Sequence, residues 1–215
     1  MMLTGARPLA RRLPALRRSF KVYTRTGDQG SSSLFNGQRR RKDDIVFSAL
    51  GDSDELNAAI GLARAHCSAD GGARAAHVLP HLESVQSRLF DLGSAIATPL
   101  TQSSEKHLAR ASFDDGGNGT AQLEAWMDAM DAELPQLQNF ILPAGGFASA
   151  SLHMARSICR RCERSVVPLV LDGECDASAA VYVNRLSDYL FVAARYVAQD
   201  TDGDSIYKKP KVVRH

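Results

Sequence analysis

The sequence lacks most features of a membrane, secreted or metal-dependent protein. No apolar run is long enough to cross a bilayer, and the four cysteines, Cys67, Cys159, Cys162 and Cys175, form no secreted disulfide framework. An intracellular, reducing compartment is the default expectation. Cys159-x-x-Cys162 has no second Cys pair to complete a zinc motif, and its helical spacing marks the two as core residues. A di-iron bundle needs Glu-x-x-His, but Val166 follows Glu163 at that spacing and Met127 follows Glu124. His153 has no evident triad partner and reads as a core or interface histidine. The net charge of +2 is too small for bulk nucleic-acid affinity, and no aromatics interleave with the arginine cluster described below. Internal repeats and useful period-two strand patterns are also missing.

What is present suits one globular domain: 215 residues, 44% of them hydrophobic and 23% charged. Apolar residues recur at helical spacing over Ser48–Cys67 (Leu50, Leu56, Ile60, Ala63) and over Pro80–Ile96 (Leu82, Val85, Leu89, Leu92, Ile96). They do so again over Thr120–Leu134 (Leu123, Trp126 or Met127, Met130, Leu134) and over Ala177–Gln199 (Val183, Leu186, Leu190, Ala193, Val197). The polar stretch Thr98–Gly119 reads as a mobile loop. With the central helix below, the expected class is all-α, an antiparallel bundle of five helices of about fifteen to twenty-five residues each.

The stretch Phe140–Arg164 organises the chain. Pro143 and the Gly145-Gly146 pair mark a loop delivering a long helix, which runs without further Gly or Pro until Pro168. Leu152, Ala155, Cys159, Cys162 and Val166 form its apolar stripe, while Arg156, Arg160, Glu163 and Arg164 share the opposite face. That face is either a solvated basic surface or a polyanion clamp, since the guanidinium fork suits phosphate oxygens. On the last helix Asn184 and Asp188 share a polar face; each also suits a structural bond to a neighbouring helix.

Near the N-terminus, KVYTRTGDQGSSSLFNGQRRRKDD combines Gly27, Gly30 and Gly37 with Thr24, Thr26 and three consecutive serines. Such a loop is either a turn-rich linker or an anion nest whose hydroxyls add donors or a ligand for Mg²⁺. It is not a Walker A loop, because no Gly-Lys-Ser/Thr follows at the required spacing. Of the run Arg39, Arg40, Arg41 and Lys42, one cation at most is expected to face a ligand. The first twenty residues carry Arg7, Arg11, Arg12, Arg17 and Arg18 and no acidic residue, a composition expected of a mitochondrial transit peptide. The domain is then expected over 21–200, with a tail over 201–215, and the location in the mitochondrial matrix.

Four segments in one order, TRTGDQGSSSLFNGQRRRKDD, ALGDSDELNAAIGLA, FILPAGGFASASLHMARSICRRCERSVVPLV and VNRLSDYLFVAARY, together resemble the PduO-type ATP:cob(I)alamin adenosyltransferases, the mitochondrial branch in particular. The resemblance covers about Lys21 to Tyr196. It implies a five-helix bundle assembling as a homotrimer with active sites between subunits. It implies ATP and cobalamin as substrates, Mg²⁺ carried by the ATP phosphates, and transfer of the 5′-deoxyadenosyl group to cobalt(I) with triphosphate leaving. By the same resemblance, Thr24, Arg25, Thr26, Gly27, Ser32, Ser33 and Lys42 match the ATP-binding loop. Arg160, Arg161, Cys162, Glu163, Arg164 and Asn184 match the helical nucleotide-binding segments. Asp54 and Arg156 match a salt bridge across the subunit interface that orders the corrin site. Phe140 matches the aromatic residue against the lower face of the corrin, and Arg160 and Phe140 are the residues implied to serve the chemistry. Methylmalonyl-CoA mutase and a cobalamin-reducing partner are the implied associates; no nucleic acid and no membrane are expected. Cys162, Ala144 and Ser53 depart from residues common in the family. A non-catalytic adenosylcobalamin carrier is the alternative, disfavoured because a carrier needs no triphosphate site.

Overall fold

The computed structural model describes Tyr23 and residues 25–209. The expectations for the leader and for Thr24 therefore lie outside the described residues. Six helices occur in chain order: α1 (Ile45–Asp70), α2 (Ala73–Ile96), α3 (Glu105–Ala111), α4 (Asn118–Asp131), α5 (Gly146–Leu171) and α6 (Ala177–Ala198). Two short antiparallel ladders join β1 (Ser31–Ser33) to β2 (Arg39–Arg41) and β3 (Ile141–Leu142) to β4 (Ser205–Ile206). The mostly helical class stands, but the expectation of five helices does not: α3 forms inside the stretch read as a mobile loop. Its seven residues are too few for a helical period to emerge from the polar sequence around them. The four strands, of two or three residues each, were likewise beneath any pattern.

The core lies where the apolar stripes meet. Helix α5 packs between α1 and α6, α2 lies on α1, and α4 lies on α6. Leu152, Ala155, Cys159, Cys162 and Val166 on α5 are fully buried, as are Leu56, Ile60 and Ala63 on α1 and Val183, Leu186 and Leu190 on α6. Helices α1 and α5 run antiparallel, as cross-contacts show, whereas α4 runs parallel to α6, with Glu124 at Arg185 and Asp131 at Arg195. Asp52 of α1 meets Arg161 of α5 near one end, and the Asp70 carboxylate accepts from the Ala148 N–H at the other.

Two helix starts are set by distant carboxylates. Helix α2 begins at Ala73, upstream of the expected Pro80, because the Asp200 carboxylate, just beyond α6, accepts from the backbone N–H groups of Arg74 and Ala75. It thereby satisfies donors that no local side chain caps, and Pro80 is carried inside the helix. Helix α5 likewise gains Asp70 as partner for its first turn. Local caps serve α1 and α6, where Asp44 and Asp176 accept from Val46 and Ser178.

At the junction of α2, α4 and α6, the His81 ring stacks on Trp126 at 4.1 Å and meets His77 and Tyr189 edge-on. Its Nδ1 is buried without a hydrogen-bond partner. Burial, with the nearby His77, lowers its pKa from the ordinary 6.5 to about 4. The unfolded chain thus binds a proton that the native state refuses. This contribution to stability is present above pH 6.5 and is lost as the pH falls towards about 4. The melting temperature is expected to drop between pH 7 and pH 5, and the drop to shrink in His81→Phe, which keeps the stacked ring and cannot titrate; an equal drop in both proteins would contradict this.

All four cysteines are buried and free. Burial pushes the thiols of Cys67 and Cys175 up to about 11 and Cys162 to about 12, and holds Cys159 well above the ordinary thiol value. At pH 8 none is expected to react with an aromatic disulfide reagent in the native protein, and all four in guanidinium, followed by thiolate absorbance.

Candidate active site

The register of α5 that buries its stripe turns Arg156, Arg160 and Arg164 outward. Arg160 and Arg164 are exposed, Arg156 is part-buried, and among the described residues no carboxylate pairs with any of the three. Three guanidinium groups stacked beside one acidic residue, Glu163, which is engaged by Asn184, repel one another, so an anion on this face relieves a cost the fold itself leaves open. Arg161 differs: it lies about 100° around the helix and is held by Asp52 at 3.0 Å and by Glu55, both on α1. Asp52 also accepts from Ser165. Cys162, matched to the nucleotide segment, faces the opposite way and is fully buried, so its thiol contributes by packing. The Asn184 amide donates to Glu163 at 2.8 Å, which fixes both beside the arginine face. Arg185 is spent on Glu124 and Asp188.

One end of this face opens into a cleft of about 930 Å³ lined by Leu137–Ile141, Arg156, Phe191, Tyr207 and Lys209. Phe140 stands at its wall with 85% of its surface exposed, against the usual fate of a phenylalanine. The Arg156 guanidinium lies over the Phe191 ring, 5.3 Å from its centroid. His153 packs edge-on beneath Phe191 and is buried. Burial chiefly, and Arg156 in addition, lower its pKa, so it is a neutral packing ring. The loop leading into α5 reaches the helix through Gly145 and Gly146, both at positive φ. At Gly145 a Cβ would come within 2.6 Å of Ala198, so only glycine lets the loop lie this close to α6.

The N-terminal loop lies at the other end of the bundle. Phe35 N–H donates to the Ala97 carbonyl beyond α2, and Arg40 pairs with Glu174 beyond α5 at 2.9 Å. The basic run divides by partner. Arg39 donates to the Thr26 carbonyl and to Ser31, bracing the loop, while Arg41 pairs with Asp43. Lys42 has no ion pair among the described residues, and its ammonium lies against Gly27, 3.1 Å from where a Cβ would stand. Ser32 and Ser33 sit on β1. Arg25 holds a left-handed backbone, φ 59°, a strained choice for a non-glycine residue.

Asp54 is exposed in a separate groove with Phe35, Leu50 and Phe90, and it does not pair with Arg156 within the chain. A single chain therefore brings Phe140 and Arg156 to one cleft, runs Arg160 and Arg164 along the same face with Glu163 and Asn184 beside them, and keeps Thr26, Gly27, Lys42 and Asp54 away from the cleft. The separation follows from antiparallel packing: Arg156 lies about 22 Å along α5 from the end beside the loop. Phe191 was missed in the sequence, although its spacing from Asn184 and Asp188 places it on the same face of α6. Tyr207 carries no local signal, since only the β3–β4 ladder brings it to the cleft.

Known proteins bear on this arrangement. Residues 22–197 match the family described as Cobalamin adenosyltransferase. Corrinoid adenosyltransferase MMAB of Mus musculus is 48% identical over 194 residues, covering 89% of this chain and 79% of that protein. The Homo sapiens MMAB protein is 48% identical over 190 residues, covering 88% and 74%. The corrinoid adenosyltransferase of Bacillus subtilis is 40% identical over 194 residues, covering 90% and 95%. A solved variant of the PduO-type ATP:corrinoid adenosyltransferase from Lactobacillus reuteri, complexed with cobalamin and ATP, superposes with a TM-score of 0.78 at 33% identity, covering 90% of this chain and all of that one. With a match across nearly all the described residues, this chain belongs to the cobalamin adenosyltransferase family.

Proposed function

We propose that the unpaired arginine face of α5 holds the triphosphate of ATP while the adjoining Phe140 cleft holds the corrin. The activity is that of the family: ATP:cob(I)alamin adenosyl transfer. Cobalt(I) attacks the 5′ carbon of ATP, the cobalt–carbon bond forms, and the carbon–oxygen bond breaks with its electron pair leaving on triphosphate. No proton is removed, so no base is required. The protein's work is to align carbon with cobalt and to neutralise the leaving group. The observation that carries the assignment is that Arg160 and Arg164, free of carboxylates, lie one and two turns from Arg156 at the cleft.

Lys42 and the loop around Gly27, with Thr24, Arg25, Thr26, Ser32 and Ser33, complete the nucleotide site. Because they lie away from the Phe140–Arg156 cleft within one chain, a second copy supplies them there, in a homotrimer whose interface pairs Asp54 with the Arg156 of its neighbour. Mg²⁺ enters on the phosphates. No group of three His, Cys, Asp or Glu suited to a metal occurs among the described residues, and serine hydroxyls with Lys42 suit phosphate oxygens better than a protein cage. Phe140 keeps water and the lower nitrogen ligand from cobalt, easing reduction of cobalt(II). Placement in the mitochondrial matrix is supported by the arginine-rich, acid-free first twenty residues. Cobalt(I) requires an electron-donating partner, and the product a consumer such as methylmalonyl-CoA mutase.

With chemically reduced cobalamin, ATP and Mg²⁺, Arg160→Ala is expected to lower kcat by about a hundredfold, whereas Arg161→Ala, whose partners are on α1, lowers melting temperature more than turnover. Parallel losses of turnover in both would remove the assignment. Phe140→Ala is expected to impair turnover from cob(II)alamin with little change in KM for ATP. Finally, Asp54→Ala and Arg156→Ala proteins, each weakly active, should regain part of the activity when unfolded, mixed and refolded together. A mixed assembly contains interfaces with both native residues, and failure to recover activity would argue that the two act within one chain.

A further inference from the structure

The Phe140 wall is held by a buried charge that the reaction itself does not use. Arg195, in the last turn of α6, is 3% exposed, the only charged residue in the buried core among the described residues. Its Nε donates to Asp204 at 2.9 Å, one Nη donates to the Pro135 carbonyl at 2.8 Å, and the other lies 3.8 Å from Asp131. These partners come from three places in the chain: the end of α4, the start of the connection towards α5, and the segment beyond α6. Both strands of the small β3–β4 ladder emerge from them. Asp204 immediately precedes β4, and Pro135 opens the connection that reaches Phe140 and β3. The Tyr207 N–H donates to the Phe140 carbonyl at 2.8 Å, and Tyr207 and Phe140 line the same cleft.

A two-residue ladder has too few bonds and too little buried side chain to hold itself in place. Something must fix the ends of its strands, and the guanidinium fork does so, holding both segments at fixed spacing. A guanidinium buried this deeply is tolerated only while its donors are met, so releasing Asp204 also weakens the hold on Pro135. We infer that Arg195, acting through Asp204 and the Pro135 carbonyl, is a positioning residue that sets the Phe140–Tyr207 wall against the corrin. It touches neither substrate and stands off the arginine face that holds triphosphate.

This rests on the corrin assignment of the cleft, so the test has an arm that does not. Hydrogen exchange at residues 205–207 is compared in the full-length native protein, Asp204→Asn, Arg195→Met and Arg195→Lys, beside steady-state KM values for cobalamin and ATP. Asp204→Asn preserves side-chain volume and removes only the counter-charge, so it decides the matter if Arg195→Met does not fold. The expected result is faster exchange at the Tyr207 amide with unchanged exchange in α1, and a rise of about tenfold in KM for cobalamin with KM for ATP unchanged. Arg195→Lys, one ammonium in place of a fork, should fall between. Native exchange in folded variants, or equal rises in both KM values, would overturn the inference. Faster exchange with no change in the cobalamin KM would keep the anchor and reject its role at the corrin. A native protein without adenosyl transfer would reject the corrin assignment and leave the exchange result standing.

Discussion

Burial of one stripe of α5 between α1 and α6 is the constraint on which the remainder depends. An α-helix with 3.6 residues per turn that hides Leu152, Ala155, Cys159, Cys162 and Val166 has no freedom to place Arg156, Arg160 and Arg164 anywhere but outward. The same rotation carries Arg161 against α1, where Asp52 and Glu55 neutralise it. Four arginines close in sequence are thus sorted into one structural ion pair and three open guanidinium groups by packing alone. The open arginine surface is the by-product of a well-filled core.

Carboxylates decide where the chemistry is available. Asp43, Asp44 and Glu174 occupy Arg40 and Arg41, Glu124 and Asp188 occupy Arg185, and Asp204 occupies Arg195. Among the described residues Arg156, Arg160, Arg164 and Lys42 are left without a carboxylate partner, and their charges suit a polyphosphate. Under the proposed function the protein activates no nucleophile: it leaves charge unsatisfied for the leaving group and keeps an aromatic side chain exposed beside it. That arrangement agrees with a reaction whose nucleophile arrives with the substrate.

Local sequence carried the helices and their buried faces, because hydrophobic period and helix propensity act over a few residues. It also carried the arginine face and the glycine-rich loop, since both are contiguous. It failed wherever the partner is remote. The start of α2 was misplaced by seven residues because Asp200, far along the chain, caps it. The short α3 and the β3–β4 ladder lay beneath any periodic signal, and with the ladder went Tyr207 as part of the cleft. The resemblance to the family supplied Phe140, Asp54 and Lys42, which no pattern singled out.

By itself, the sequence determined the helical class, the face that each helix buries, and the residue types able to meet a polyphosphate, because all three follow from spacing along one chain. Only the tertiary structure decided which arginines are neutralised and which stay open, that Cys162 packs inward, and that the glycine-rich loop and the Phe140 cleft stand at opposite ends of one chain. Those outcomes depend on antiparallel packing, which brings together or keeps apart residues a hundred positions distant, and no local period encodes it.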